Sequence, residues 1–330
     1  MQTSFLVLSK KQLLTAALIV GSALALVKFV AYYLTSSDAI FTDALESIVN
    51  VVAGAVALYS VTISAKPRDK GHPYGHGKIE FLSSGFEAVL IMLAGAATIG
   101  KAIYGFWQTD TIAALDTGIA LTVVTGSINY GMGYYLRRQG RKMHSPSLQA
   151  DGEHLMSDGY TSLGLIIGLA LIILTGWEWL DGTMAIIFGG LIIWNGWQIF
   201  RHAISGVMDE TDEALATEVI AVLQQERRPN WIDVHNLRII KYGPQLHIDC
   251  HLTLPWYLNV EQAHDEVKAV EDIVNVAMEN RVEIFIHTDP CVKSSCAVCT
   301  IADCAVRKAA FVKKIEWTKE IVMQNSKHEV

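Results

Sequence analysis

Six stretches of this chain each run for about 20 mostly apolar residues, the length a helix needs to cross a bilayer core roughly 30 Å thick. They extend approximately from Leu13 to Leu34, Ala39 to Ile63, Phe81 to Trp107, Thr117 to Leu136, Glu153 to Thr175 and Gly182 to Phe200. With 51% hydrophobic and 18% charged residues over 330 positions, the composition is not that of a soluble enzyme, and an α-helical membrane domain is the fold it implies. Lys10 and Lys11 before the first stretch, and Ser22-Ala23-Leu24-Ala25 within it, have the look of a signal peptide. The stretch is too long for one and five more follow, so an uncleaved helix is expected.

Basic residues fall on alternate connections: Lys10 and Lys11, then Lys66, Arg68, Lys70 and Lys78, then Arg137, Arg138, Arg141 and Lys142. The intervening loops, around Thr35 to Asp38, Gln108 to Asp116 and Gly176 to Asp181, contain no Lys or Arg. That asymmetry puts both termini in the cytoplasm, and a multi-pass protein of the inner membrane is the expected location. Trp107, Trp177 and Trp179 lie near the opposite ends of their spans, at the headgroup level that suits an amphipathic ring.

After Asp209 the texture becomes that of a small soluble domain. Residues 1 to 205 carry 13 basic against 13 acidic side chains and residues 206 to 330 carry 13 against 20, so the whole net charge of -7 sits here. An acidic surplus suits cations and disfavours nucleic acid, which needs a basic face. Thr211 to Arg227 has a helical period and Pro229 just beyond its end. Asp233 to Tyr242 and Gln245 to Leu254 alternate as two strands around Gly243-Pro244. A second helix starts at Asn259 with Gln262 in capping-box position, and Arg281 to His287 reads as a third strand. The order αββαβ predicts a sheet covered on one face by helices. The expected division is a six-helix membrane domain over 1–207, a cytoplasmic domain over 208–290 and a cysteine-containing extension over 291–330.

Ionisable groups deep in a spanning helix cost about 2.5 to 3.5 kcal/mol each on insertion scales, so a sequence that keeps several needs a reason. Asp43, Glu46 and Asn50 share one face of the second span, and Asp151, His154 and Asp158 repeat that spacing in the fifth. Glu46, Asn50, His154 and Asp158 together offer three oxygen donors and one imidazole, a four-coordinate site for a divalent transition metal. Asp43 and Asp151 are expected at the headgroups, where polarity is cheap. A second cluster, Asp69-x2-His72-x3-His76, lies in the Gly- and Pro-containing loop after the second span, and its donors suit Zn²⁺ as readily as plain solvent. A third is spread over the soluble domain: His235, His251, His264, His287 and Asp289, convergent enough to suggest a binuclear metal site. His247, Asp249 and His251 alternate onto one strand face, Leu246, Ile248, Cys250 and Leu252 onto the other. In the extension, Cys291, Cys296, Cys299 and Cys304 would face a reducing compartment, and their spacing fits either a thiolate metal site or idle thiols.

Six spans, the Asp-x2-His-x3-His loop ending Gly75-His76-Gly77-Lys78, His154-x3-Asp158, and His287-Thr288-Asp289-Pro290-Cys291 together resemble the cation diffusion facilitator family, in particular its bacterial zinc and ferrous-iron/proton antiporters. The resemblance covers residues 10 to about 291. It implies a homodimer with a metallochaperone-like cytoplasmic fold, exporting Zn²⁺ or a similar ion such as Fe²⁺ in exchange for protons. It also implies that Glu46, Asn50, His154 and Asp158 form the transport site, that Asp69, His72 and His76 form a loop site, and that His235, His251, His264, His287 and Asp289 form a regulatory interface site with Asp289 bridging. Lys78 and Asp209 fall where the family places an interlocking charge pair. One departure is notable: these antiporters usually carry Asp or His followed four residues later by Asp in the second span, and here the pair is Glu46 and Asn50, with an amide in place of a carboxylate.

Membrane lipid, divalent metal ions, protons and a second copy of the chain are thus the expected partners. A manganese, iron or cobalt carrier and a non-transporting membrane metal sensor are the alternatives. No His-Glu-x2-His supports a membrane protease, and no Gly-x4-Gly-Lys-[Ser/Thr] supports nucleotide drive, so neither an enzyme nor a nucleotide cofactor is expected.

Overall fold

In lipid a backbone must satisfy its hydrogen bonds within the protein, and an apolar run of about 20 residues does so by winding into a helix. The computed structural model describes residues 9–35, 38–105, 115–175 and 179–328, and it divides into two compact units, Met1–Val207 and Met208–Val330. The first unit holds α1 (Lys10–Thr35), α2 (Asp38–Ser64), α3 (Ile79–Gly105), α4 (Leu115–Lys142), α5 (Pro146–Thr175) and α6 (Trp179–Val207). These helices outrun the hydropathy signal: α4 continues through Arg137, Arg138, Arg141 and Lys142, and α5 begins at Pro146 instead of Glu153. Hydropathy marks the hydrocarbon portion alone, whereas helical hydrogen bonding carries on through the polar ends, and proline suits a first helical turn.

Glycine lets the helices meet closely. A methyl group on Gly152 of α5 would lie 2.4 Å from the Arg137 backbone nitrogen, and one on Gly133 of α4 would lie 2.6 Å from that of Met156. Without a hydrophobic drive between helices in lipid, such backbone proximity is a main source of cohesion. At one end of the bundle, the buried Glu80 of α3 gathers its neighbours: its side chain accepts from Lys10 Nζ at 3.4 Å, from Ser64 Oγ at 2.8 Å and from Ser145 Oγ. Ser60 of α2 and Ser147 of α5 are hydrogen bonded beside it at 2.8 Å. From that contact Asn50 lies ten residues along α2 and Asp158 eleven along α5, a rise of about 15 and 16 Å, so the two arrive at the same depth.

The second unit contains α7 (Glu213–Gln225), β1 (Asp233–Tyr242), β2 (Gln245–Leu254), α8 (Val260–Ala277), β3 (Val282–Pro290) and a short α9 (Lys319–Val322). Asp212 caps α7 by accepting from the Leu215 N–H at 3.0 Å, and α8 opens with the Asn259–Gln262 capping box. β1 and β2 form an antiparallel hairpin through Gly243, whose φ of 60° spares glycine the strain a side chain would bring. β3 adds in parallel beside β2 after the α8 crossover, giving the order β1-β2-β3. Leu246, Ile248, Cys250 and Leu252 point into a core shared with Val219, Leu223, Val270 and Val274 of the helices. β3 runs on to Pro290, which pairs with Leu254, so His287 and Asp289 stand on the strand itself and not in the loop beyond it.

Candidate metal centres

In the membrane unit, α2 and α5 bring Asn50, His154 and Asp158 together. Asn50 Oδ1 lies 2.6 Å from His154 Nε2, and Asn50 Nδ2 donates to Asp158 Oδ2. Because the amide nitrogen is committed to the carboxylate, Asn50 Oδ1 is the acceptor and His154 Nε2 carries the proton between them. His154 Nε2 is also 3.9 Å from Asp158 Oδ2, and the residues are 3% and 8% exposed. Glu46 and Asp43 lie on α2, but their side chains fall outside the described residues.

Two further carboxylates belong to the same interior. Asp151, expected at the headgroups, is 4% exposed, and its Oδ2 has no hydrogen-bond partner. Glu87 of α3, which the sequence reading passed over, is 1% exposed with neither oxygen hydrogen bonded, and its charged neighbours are Asp151, Asp158 and Glu153. Ala88 and Ala150, the residues beside Glu87 and Asp151, pack in one apolar cluster with Ile199 of α6, which fixes the approach of α3 to α5. The signal was available: a lone acidic residue in the interior of an otherwise apolar span.

The loop between α2 and α3 does gather Asp69, His72 and His76, whose ligand atoms lie within 4.8 Å of one another. Asp69 Oδ1 accepts from the Gly71 and His72 N–H groups at 2.8 and 2.7 Å and sits 3.1 Å from His72 Nδ1. The His72 ring first, and these backbone bonds with it, hold the Asp69 carboxyl below the usual range. His76 Nε2 is 3.4 Å from Asp69 Oδ2, while its buried Nδ1 has no partner.

The strand register explains the third cluster. His235 pairs with His251, and His251 pairs with His287, so the three imidazoles form one row across the sheet face away from the core. Two residues along, Asp233, Thr253 and Asp289 form a parallel row. Asp289 Oδ2 lies 3.3 Å from His235 Nε2 and 3.1 Å from His251 Nδ1, and its Oδ1 is 3.6 Å from His287 Nε2. His235, His251 and Asp289 bring their ligand atoms within 4.8 Å, with His287 as an exposed fourth. His264 does not join them: it is exposed early in α8, in the helical layer that covers the other face.

Asp233 was also missed, although alternation from His235 puts it on the same face. Its Oδ2 is 3.4 Å from His235 Nδ1, a contact that does not complete a hydrogen bond. Burial alone would raise its pKa, but its contacts with His235 and with His328 outweigh that and hold the carboxyl below its usual range.

The four cysteines of the extension are not drawn into one ligand sphere. Among the described residues, the groups of three or more ligand atoms within 4.8 Å are the loop and strand clusters alone. Cys299 packs against Ile232 and Val298, and burial pushes its thiol pKa up, while Cys296 Sγ accepts from the Lys308 N–H at 3.5 Å. Of the expected interlocking pair, Lys78 belongs to the first unit and Asp209 to the second.

Residues 14–208 match the cation efflux transmembrane domain family, and residues 211–291 match the cytoplasmic domain of cation efflux proteins. An uncharacterized transporter of Synechocystis sp. is 33% identical over 261 residues, covering 78% of this chain and 84% of its own. The cation-efflux pump FieF of Serratia proteamaculans is 29% identical over 279 residues, 84% of this chain and 91% of that protein. The manganese efflux system protein MneP of Bacillus subtilis is 27% identical over 263 residues, 77% and 87% of the two chains.

Proposed function

The chain belongs to the cation diffusion facilitator family, and from that membership we propose that it carries Zn²⁺ out of the cytoplasm through the inner membrane in exchange for protons. It is a membrane cation-efflux transporter and not an enzyme, and its cytoplasmic domain is of the kind that pairs two copies of the chain. The observation that carries the proposal is the buried bridge of Asn50 to His154 and Asp158 between α2 and α5.

The bridge suggests how exchange works. As it stands, His154 Nε2 donates a proton to Asn50, and Asn50 donates to Asp158, so the ligand atoms a dication needs are occupied by each other. Binding Zn²⁺ through Nε2 requires both bonds of Asn50 to open and the Nε2 proton to go: a neutral ring shifts it to Nδ1, and only a ring protonated on both nitrogens gives up a net proton. The exchange therefore runs between Zn²⁺ and the doubly protonated ring, and releasing the ion lets the bonds close again. Glu46 completes the proposed site from α2. Glu87 and Asp151 supply oxygens beside it, offsetting the carboxylate lost at Asn50. The loop site Asp69, His72 and His76 and the strand site His235, His251, His287 and Asp289 would bind metal from the cytoplasm, the second regulating dimer geometry with His264 supplied by the other copy. The extension with Cys291, Cys296, Cys299 and Cys304 follows as a separate segment.

Mn²⁺ is the second substrate reading, favoured by the oxygen-rich transport site and by a relative named for manganese efflux. Purified protein in vesicles holding a metal-sensitive and a pH-sensitive dye tests the exchange. Zn²⁺ entry with opposite proton movement is expected, and metal entry without proton movement would refute it.

A further inference from the structure

The family's cytoplasmic domain ends at residue 291, yet the chain after it returns to the strand cluster. It is firmly attached on the way. Trp317 and Val322 are buried in the domain core, Arg227 stacks 4.0 Å over Trp317 and donates to the Ile315 carbonyl at 2.6 Å, and the Asn236 N–H donates to the Gln324 carbonyl at 2.7 Å. This last bond falls at the irregularity of β1 between His235 and Arg238, where the strand has no regular partner to offer.

The segment ends on Asp233. His328 Nδ1 lies 2.6 Å from Asp233 Oδ1, and the His328 backbone N–H donates to Oδ2 at 3.0 Å. The other ring nitrogen, Nε2, lies 2.8 Å from the Ile321 carbonyl, so each ring nitrogen faces an acceptor. The His328 and Asp233 side chains are 8% and 5% exposed. Lys327, beside it, donates to the Pro290 carbonyl at 2.9 Å and sits 3.9 Å from Asp289 Oδ1. The segment therefore touches both carboxylates that flank the histidine row.

We propose that His328 is a positioning residue of the strand metal site: it holds the Asp233 carboxylate against His235 Nδ1, leaving His235 Nε2 aimed at a divalent cation shared with His251 and Asp289. This rests on reading that cluster as a metal site. A ligating histidine needs its second nitrogen fixed by an acceptor, and a carboxylate there sets both the tautomer and the ring angle. Asp233 can serve only if it does not swing away, and His328 occupies both of its oxygens from the far side. The extension would thus set the affinity of a site whose ligands all lie outside it.

The test is Zn²⁺ binding by the full-length protein in detergent, measured by competition with a chromophoric chelator. Wild type should show a tight class of site that Asp289→Ala removes. His328→Ala should keep the number of sites but weaken that class by about tenfold, the scale of an outer carboxylate or its support. His328→Asn, whose amide can still donate to Asp233, should stay within about threefold of wild type. Wild-type affinity in His328→Ala, or equal weakening in the Ala and Asn variants, overturns the positioning role. If Asp289→Ala leaves every class intact, the reading of the cluster as a metal site falls instead, so the two failures are distinct. Equal melting temperatures of His328→Asn and wild type keep the comparison valid should His328→Ala unfold.

Discussion

The same side-chain types are assembled in two different ways in the two units. In the membrane bundle, Asn50, His154 and Asp158 hang from two helices and satisfy one another, while Glu87 and Asp151 beside them keep oxygens with no hydrogen bond at all. On the cytoplasmic sheet, His235, His251 and His287 are set by strand register into one row, with Asp289 against all three and Asp233 pinned from behind. A site that must bind and release on every cycle gains from ligands that can rebond to each other when the ion leaves. A site that reports metal gains from ligands that stay where the backbone puts them.

Substitutions can break that contrast. The largest effect should come from Asp158→Ala, which removes a proposed ligand and half of the closed arrangement: metal flux in vesicles should fall by at least about 100-fold, beyond the range for outer residues. Retained flux would mean the bundle cluster is only interhelical glue. Glu87→Gln should lower flux by about tenfold while leaving the melting temperature unchanged or raised, since a buried carboxyl without hydrogen bonds is a burden to folding. A drop in melting temperature with normal flux would make Glu87 structural. Asp289→Ala should change maximal flux by less than about threefold, because it lies in the other unit, but should abolish the response of the cytoplasmic domains to added Zn²⁺.

The smallest effect concerns fold without metal. Lys241 and the Leu215 N–H hold the Asp212 carboxyl below its usual range against the opposing effect of partial burial. A depressed carboxylate stabilises the folded state above its unfolded pKa, and that contribution disappears as pH falls below about 4. Asp212→Asn, still a good helix cap, should flatten this acid slope in hydrogen exchange of α7, with a small loss of protection at pH 7 that fades below about pH 4.

The two units were unequally legible for the same physical reason. The period of two in a strand fixes both which residues share a face and how far apart they are, so Asp233 to Tyr242 and Gln245 to Leu254 could be bounded from sequence, and the histidine face with them. What escaped was long-range: that β3 continues to Pro290, and that a residue 95 positions after Asp233 would hydrogen bond to it. In the bundle, helical spacing put Asn50 on one helix and His154 and Asp158 on another at compatible depths. It could not say that α3 turns Glu87 inward, nor that Asp151 is covered by neighbouring helices, because these depend on how glycines such as Gly95 and Gly196 between α3 and α6, and Gly133 and Gly152 between α4 and α5, let neighbouring helices close. The cysteine spacing was legible as a motif and silent on geometry.

The most direct test is a cryo-EM map of the zinc-loaded, full-length protein. The account predicts density between α2 and α5 at about 2.0 to 2.2 Å from His154 Nε2 and an Asp158 oxygen, with the Asn50–His154 hydrogen bond opened. A zinc-loaded map in which that bond is intact and no ion lies between the two helices would contradict it.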